Sequence, residues 1–107
     1  MPSVELTPII SYYSDDPEMA ELVDEFVNTL SERVISLENC LNTGDLSELK
    51  RIAHQLKGSC GGYGFDVIGQ AAAILETSAK ASQSVEQVNQ EVADLIQLCQ
   101  RAKSGTA

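Results

Sequence analysis

Apolar side chains at three- and four-residue spacing run through this chain, and that period commits it to helices. From Met19 onward, Leu22, Val23, Phe26, Val27, Leu30, Val34, Leu37 and Leu41 recur at such steps. Glu18, Glu21, Asp24, Asn28, Glu32 and Ser36 take the other faces. The pattern predicts an amphipathic helix of about seven turns. Asp16 opens it as N-cap with Pro17 in the first helical position, and Gly44 closes it after Asn42 and Thr43. Asp45 then caps a second helix striped by Leu46, Leu49, Ile52, Ala53, Leu56 and Cys60, which Gly61, Gly62 and Gly64 end. A third begins near Phe65-Asp66 and carries Ile68, Ala71, Ala72, Leu75 and Ala79. Ser84 and Gln87 are spaced as a capping box for a fourth, with Val85, Val88, Val92, Leu95, Ile96, Cys99 and Ala102 facing inward. No segment carries a strand signature.

Four amphipathic helices joined by short loops predict an all-α, antiparallel up-down-up-down bundle. With 107 residues there is room for one domain, here an arm over 1–15 and a bundle over 16–103. Leu6, Ile9, Ile10, Tyr12 and Tyr13 give the arm enough apolar surface to form a short helix or extended strap across one end. One buried stripe per helix leaves no further face to cover, so a monomer is expected.

The net charge of −9 speaks against nucleic acid or an anionic membrane as partner, since both call for basic patches. No apolar run nears the roughly 20 residues of a membrane span, and no secretory signal precedes the first helix, so a cytoplasmic protein is expected. Cys40, Cys60 and Cys99 match neither a disulfide framework nor a zinc knuckle and are expected to be reduced core residues.

Charge position says more than charge total. Eleven of the sixteen acidic residues lie at or before Glu48, whereas Lys50, Arg51 and Lys57 surround the only histidine, His54. On the helical wheel His54 falls well outside the apolar wedge and faces solvent. Arg51 is one turn before it, and Lys57 and Gly58 are one turn after, so these residues share a face. A glycine inside a helix costs about 0.5–1 kcal/mol relative to alanine. On the polar side its use is to leave the histidine open to a docking protein. A phosphoryl group on the ring would add roughly two negative charges, which Lys57 would offset, and the nearby cations would favour an unprotonated ring. The chain has no P-loop, no acidic metal cluster around the histidine and no hydrolytic triad. It is equipped to hold a phosphoryl group but not to take one from ATP.

The segment AHQLKGSCGGYGF, residues 53–65, resembles the signature of histidine phosphotransfer (HPt) domains, His-x-Leu-Lys-Gly-Ser followed by a glycine, here His54, Leu56, Lys57, Gly58, Ser59 and Gly64. A long helix before it and an Ala-rich helix with Leu75-Glu76 after it agree. The resemblance implies a relay intermediate between response-regulator receiver domains, fed by a hybrid histidine kinase. His54 would be phosphorylated on the ring nitrogen farther from the backbone. Lys57 would orient or neutralise the phosphoryl oxygens and Gly58 would admit the receiver. Ser59 would support the helix, and Gly64 would permit the turn into the third helix. The resemblance implies no cofactor on this chain, Mg²⁺ being held by the receiver. Lys50, Arg51, Gln55 and Gly61 surround the motif as partner-binding candidates. Tyr63 and Phe65 stand where the family commonly has smaller apolar residues.

Two other readings compete. The phosphoacceptor domain of a chemotaxis-type histidine kinase resembles the same motif, although a chain running from Met1 to a polar tail at Ala107 is more simply a stand-alone protein. A helical scaffold with an incidental histidine leaves the mid-helix glycine unexplained.

Overall fold

A computed structural model describes residues 8–103. Four helices form the body: α1 (Ala20–Thr43), α2 (Leu46–Cys60), α3 (Asp66–Lys80) and α4 (Asn89–Arg101). Each packs on the next and α1 closes against α4, as an up-down-up-down path requires, with α2–α3 the most extensive contact. The core takes Leu30, Leu37, Leu49, Ile52, Leu56, Ile68, Leu75, Val92 and Leu95 from all four helices, each with almost no exposed surface. No described helix is long and apolar enough to cross a membrane.

The turn chemistry read from the sequence holds at the two ends of α2. Gly44 adopts the left-handed conformation after α1, and its N–H reaches the Cys40 carbonyl at 2.9 Å. The Asp45 carboxylate accepts the Glu48 N–H at 3.0 Å, as an N-cap should. After Cys60 a single 3₁₀ turn, Gly61–Tyr63, leads to Gly64 at φ +85°, from which α3 departs.

Three boundaries differ from expectation. The first α-helix begins at Ala20, not at Asp16-Pro17. Asp16 does cap, but locally: its carboxylate takes the Glu18 N–H at 2.9 Å, within a run of four-residue turns at Ser11–Ser14, Tyr13–Asp16 and Asp16–Met19. The Ser84–Gln87 capping box does not form. The Gln87 Oε1 accepts the Gln83 N–H at 2.7 Å, and Val85–Val88 make a 3₁₀ turn before α4. Three residues per turn put Val85 and Val88 on the same side, and both are buried.

The third difference concerns the arm, where a pair of two-residue strands appears despite the lack of a strand signature. β1 (Ile9–Ile10) runs parallel to β2 (Ala102–Lys103), so Ala102 leaves the fourth helix for an extended conformation. Two residues are too few for period-2 alternation to register. The arm continues to the loop after α2. There the Tyr12 N–H donates to the Gly64 carbonyl at 2.8 Å, and the buried Ser11 hydroxyl donates to the Tyr63 carbonyl at 2.7 Å. Of the two conformations expected for the arm, its described part shows the extended one at Ile9–Ile10, followed by turns; Leu6 lies outside the described residues. Tyr63 stacks on Phe26 at 4.3 Å between ring centroids, and Phe65 packs on the same ring at 6.0 Å. The two aromatic residues beside Gly64 therefore tie this loop to α1.

Cys40, Cys60 and Cys99 are unpaired and buried, as expected. Burial pushes the Cys60 and Cys99 thiols up to about 12, the neighbouring Cys99 adding to the effect at Cys60. They behave as small hydrophobes rather than nucleophiles.

Candidate functional site

His54 sits in mid-α2 with its side chain 67% exposed, as the wheel placed it. Its Nδ1 meets Oε2 of Glu76 at 2.8 Å. Glu76 lies on α3, and only 5% of its surface is exposed. Its second oxygen, Oε1, accepts from the Lys57 ammonium at 2.7 Å, and the Lys80 ammonium stands 3.4 Å from Oε2. Together these donors outweigh the cost of burial. Lys57 contributes most, and the Glu76 carboxyl is held at about 2, far below the usual carboxylate range.

An ionised carboxylate can only accept hydrogen bonds, so the proton of a neutral His54 ring belongs on Nδ1. That fixes the tautomer and leaves the lone pair on Nε2, the nitrogen farther from the backbone. A buried base-facing carboxylate holding an exposed imidazole is a general way to aim a nucleophile.

The depressed Glu76 also makes an acid-stability prediction. A carboxyl at about 2 when folded and near 4.5 when unfolded contributes stability that is complete above about pH 5 and lost as pH falls toward 2. Melting curves of the wild type and Glu76→Gln should therefore lie farthest apart near neutral pH and converge toward pH 2. A gap independent of pH would contradict the assignment.

Gly58 is exposed on the same face, and a Cβ built there meets no atom within 4 Å. This chain's own packing does not call for glycine at that position. The close helix contact is made elsewhere, at Gly69 of α3, where a Cβ would come within 3.4 Å of the Cys60 Cβ. The Ser59 hydroxyl returns to the Gln55 carbonyl at 2.7 Å, one turn back along α2.

The basic spot expected around His54 is largely neutralised from within. Arg51 is paired with Glu48 one turn before it on the exposed helix face, through Nε at 2.8 Å and a second contact from Nη2. Lys57 is paired with Glu76, and the charged group touching the ring is a carboxylate rather than a cation. The i,i+3 spacing of Glu48 and Arg51 and the meeting of α2 with α3 decide these pairings. Lys50 is half-buried, while Gln55 and Gly61 are exposed on or just beyond α2. Among the described residues no three His, Cys, Asp or Glu side chains gather into a metal-binding group.

The sequence places Glu76 in the Ala-rich third helix and Lys80 near its end, where a cation suits the helix dipole, but gives neither a part in the site. The signal was present for Glu76: counted from Ile68 and Ala72, it falls on the core-facing stripe of α3, where an acidic residue needs partners. Which residues they were depended on the neighbouring helix.

A search of curated proteins returned no match, and neither did a search of solved structures. The sequence model of the Hpt domain family, in contrast, matches residues 21–105, which cover α1 from Glu21 onward, the other three helices and the His54 site. This match agrees with the motif at residues 54–64 and with the helical bundle that presents it, and the chain belongs to the Hpt domain family, whose members carry phosphoryl groups in phosphorelays.

Proposed function

We infer that His54 is the phosphoryl carrier, accepting the group from the aspartate of one response-regulator receiver and passing it to another. The observation that carries this reading is an exposed imidazole whose Nδ1 is held by a buried, ionised Glu76, leaving Nε2 as the nucleophile. In the forward step the Nε2 lone pair forms the N–P bond. The P–O bond to the receiver's aspartate breaks, and that carboxylate departs with the electron pair. No proton has to leave, because Nε2 carries none. The ring becomes an imidazolium whose Nδ1–H still faces the Glu76 carboxylate, so the charge created meets a fixed opposite charge. The reverse step regenerates the neutral ring. Lys57 can offset the phosphoryl oxygens, and the receiver supplies the Mg²⁺. The receiver docks over Gly58, contacting Lys50, Arg51, Gln55 and Gly61 around it, and Ser59 and Gly64 hold the local backbone. The carrier acts as a cytoplasmic monomer fed through a hybrid kinase and does not phosphorylate itself.

The test is to mix the protein with a phosphorylated receiver domain and follow the label. Transfer should yield an acid-labile, base-stable phosphoprotein, and ATP alone should give none. Label that stays on every receiver tried would overturn the relay reading, and labelling by ATP alone would overturn the absence of kinase activity. Gly58→Gln gives a sharper outcome. It starts from a Cβ that meets nothing within 4 Å, and better helix propensity should leave stability unchanged or raised by about 0.5–1 kcal/mol. Transfer should nonetheless slow by about tenfold or more, since a side chain misplacing the reactants by an ångström is that costly. Unchanged transfer would show that the open face has no role in docking.

A further inference from the structure

Glu76 is one carboxylate with two lysines. Lys57 alone would neutralise it, yet Lys80 also stands within ion-pair distance. With a neutral imidazole, the cluster of His54, Lys57, Glu76 and Lys80 therefore carries one surplus positive charge. Phosphorylation places about two negative charges on the phosphoryl group and one positive charge on the ring. The loaded cluster then balances. Without Lys80 it would be left one charge negative beside a carboxylate that is 5% exposed.

The two lysines are also placed differently. Lys57 is one turn beyond His54 on α2, so it can turn toward a group on Nε2; doing so strips Oε1 of Glu76 of its 2.7 Å partner. A buried carboxylate deprived of a donor is strongly disfavoured. Lys80 is one turn beyond Glu76 on α3, with its side chain 65% exposed, 3.4 Å from Oε2. A shift of roughly half an ångström would bring it to charge-assisted hydrogen-bond length.

We propose that Lys80 is a positioning residue, a reserve counter-ion that takes over Glu76 when Lys57 turns to the phosphoryl group. The proposal rests on His54 being the phosphorylated residue, but not on which partner phosphorylates it. It can thus be tested with phosphoramidate, which loads histidine without a receiver or ATP. Urea unfolding at 25 °C and mildly alkaline pH compares each protein before and after loading. Before loading, Lys80→Gln should match the wild type within about threefold in folding equilibrium constant, since an exposed ion pair contributes little. Loading should lower the constant of Lys80→Gln about tenfold more than that of the wild type, an ordinary coupling between two sites. Lys80→Arg should follow the wild type, and the difference should shrink in 1 M salt.

Equal losses on loading in the wild type and Lys80→Gln would overturn the proposal. So would Lys80→Arg behaving like Lys80→Gln, or a Lys80→Gln protein as destabilised before loading as after. If His54 takes the group from phosphoramidate but from no receiver, the relay reading fails and this test still stands. Failure to load at all overturns both.

Discussion

Replacing His54 with glutamine is expected to abolish phosphoryl acceptance completely while shifting the melting temperature by no more than about 4 °C. The histidine is the chain's only one, so no other imidazole can substitute. Its side chain is mostly exposed, and little packing is lost with it. Glutamine can still offer an N–H to Glu76, which keeps Lys57 and Lys80 as well, so the buried carboxylate is not stranded. The variant therefore separates chemistry from folding. Incubation with a phosphorylated receiver should leave all label on the receiver. Acid-labile label on the His54→Gln protein would show that the phosphoryl group goes elsewhere, and a large fall in melting temperature would show that His54 is structural.

The largest stability effect is expected at Gly64. Its φ of +85° disfavours any residue with a Cβ, by about 1–2 kcal/mol. That Cβ would also lie 2.6 Å from both the Ser11 hydroxyl and the Tyr12 backbone nitrogen, where the arm crosses. Overpacking of this kind adds about 1–3 kcal/mol. Gly64→Ala should thus cost about 3 kcal/mol and lower the melting temperature by roughly 12–24 °C. Hydrogen exchange at the Tyr12 amide, which donates to the Gly64 carbonyl, should speed up in parallel. Gly62→Ala is the control, because Gly62 has ordinary φ and open space around it. Similar melting of the two variants would rule out both the strain and the arm's contact as the cause.

Much of this was legible beforehand because it is local. Helical period, the Asp45 cap, the Gly44 and Gly64 stops and the outward aim of His54 depend on residues within a turn or two of one another. The misplaced boundaries are local conflicts that a distant contact settled. Val85 and Val88 turn inward together as a 3₁₀ pair because both find the core, and Ala102 leaves its helix because Ile9 is there to pair with it. The motif itself needed no structure to be read, since the spacing of His54, Lys57 and Gly58 is a property of one helix.

What the sequence by itself determined is the bundle, the outward-facing His54 and the open face beside it. Tertiary structure alone decided the electrostatics around that imidazole. Lys57 reads in sequence as a free cation near the ring, yet in the fold it is bound to Glu76, and the group touching His54 is the carboxylate. The reason is distance along the chain. His54 and Glu76 are 22 residues apart, and no periodicity within α2 or α3 says which residue of one helix meets which of the other. That register is fixed by packing, with Gly69 letting the two helices approach, and through it a buried carboxylate sets the proton of a neutral ring on Nδ1 and leaves the lone pair on Nε2.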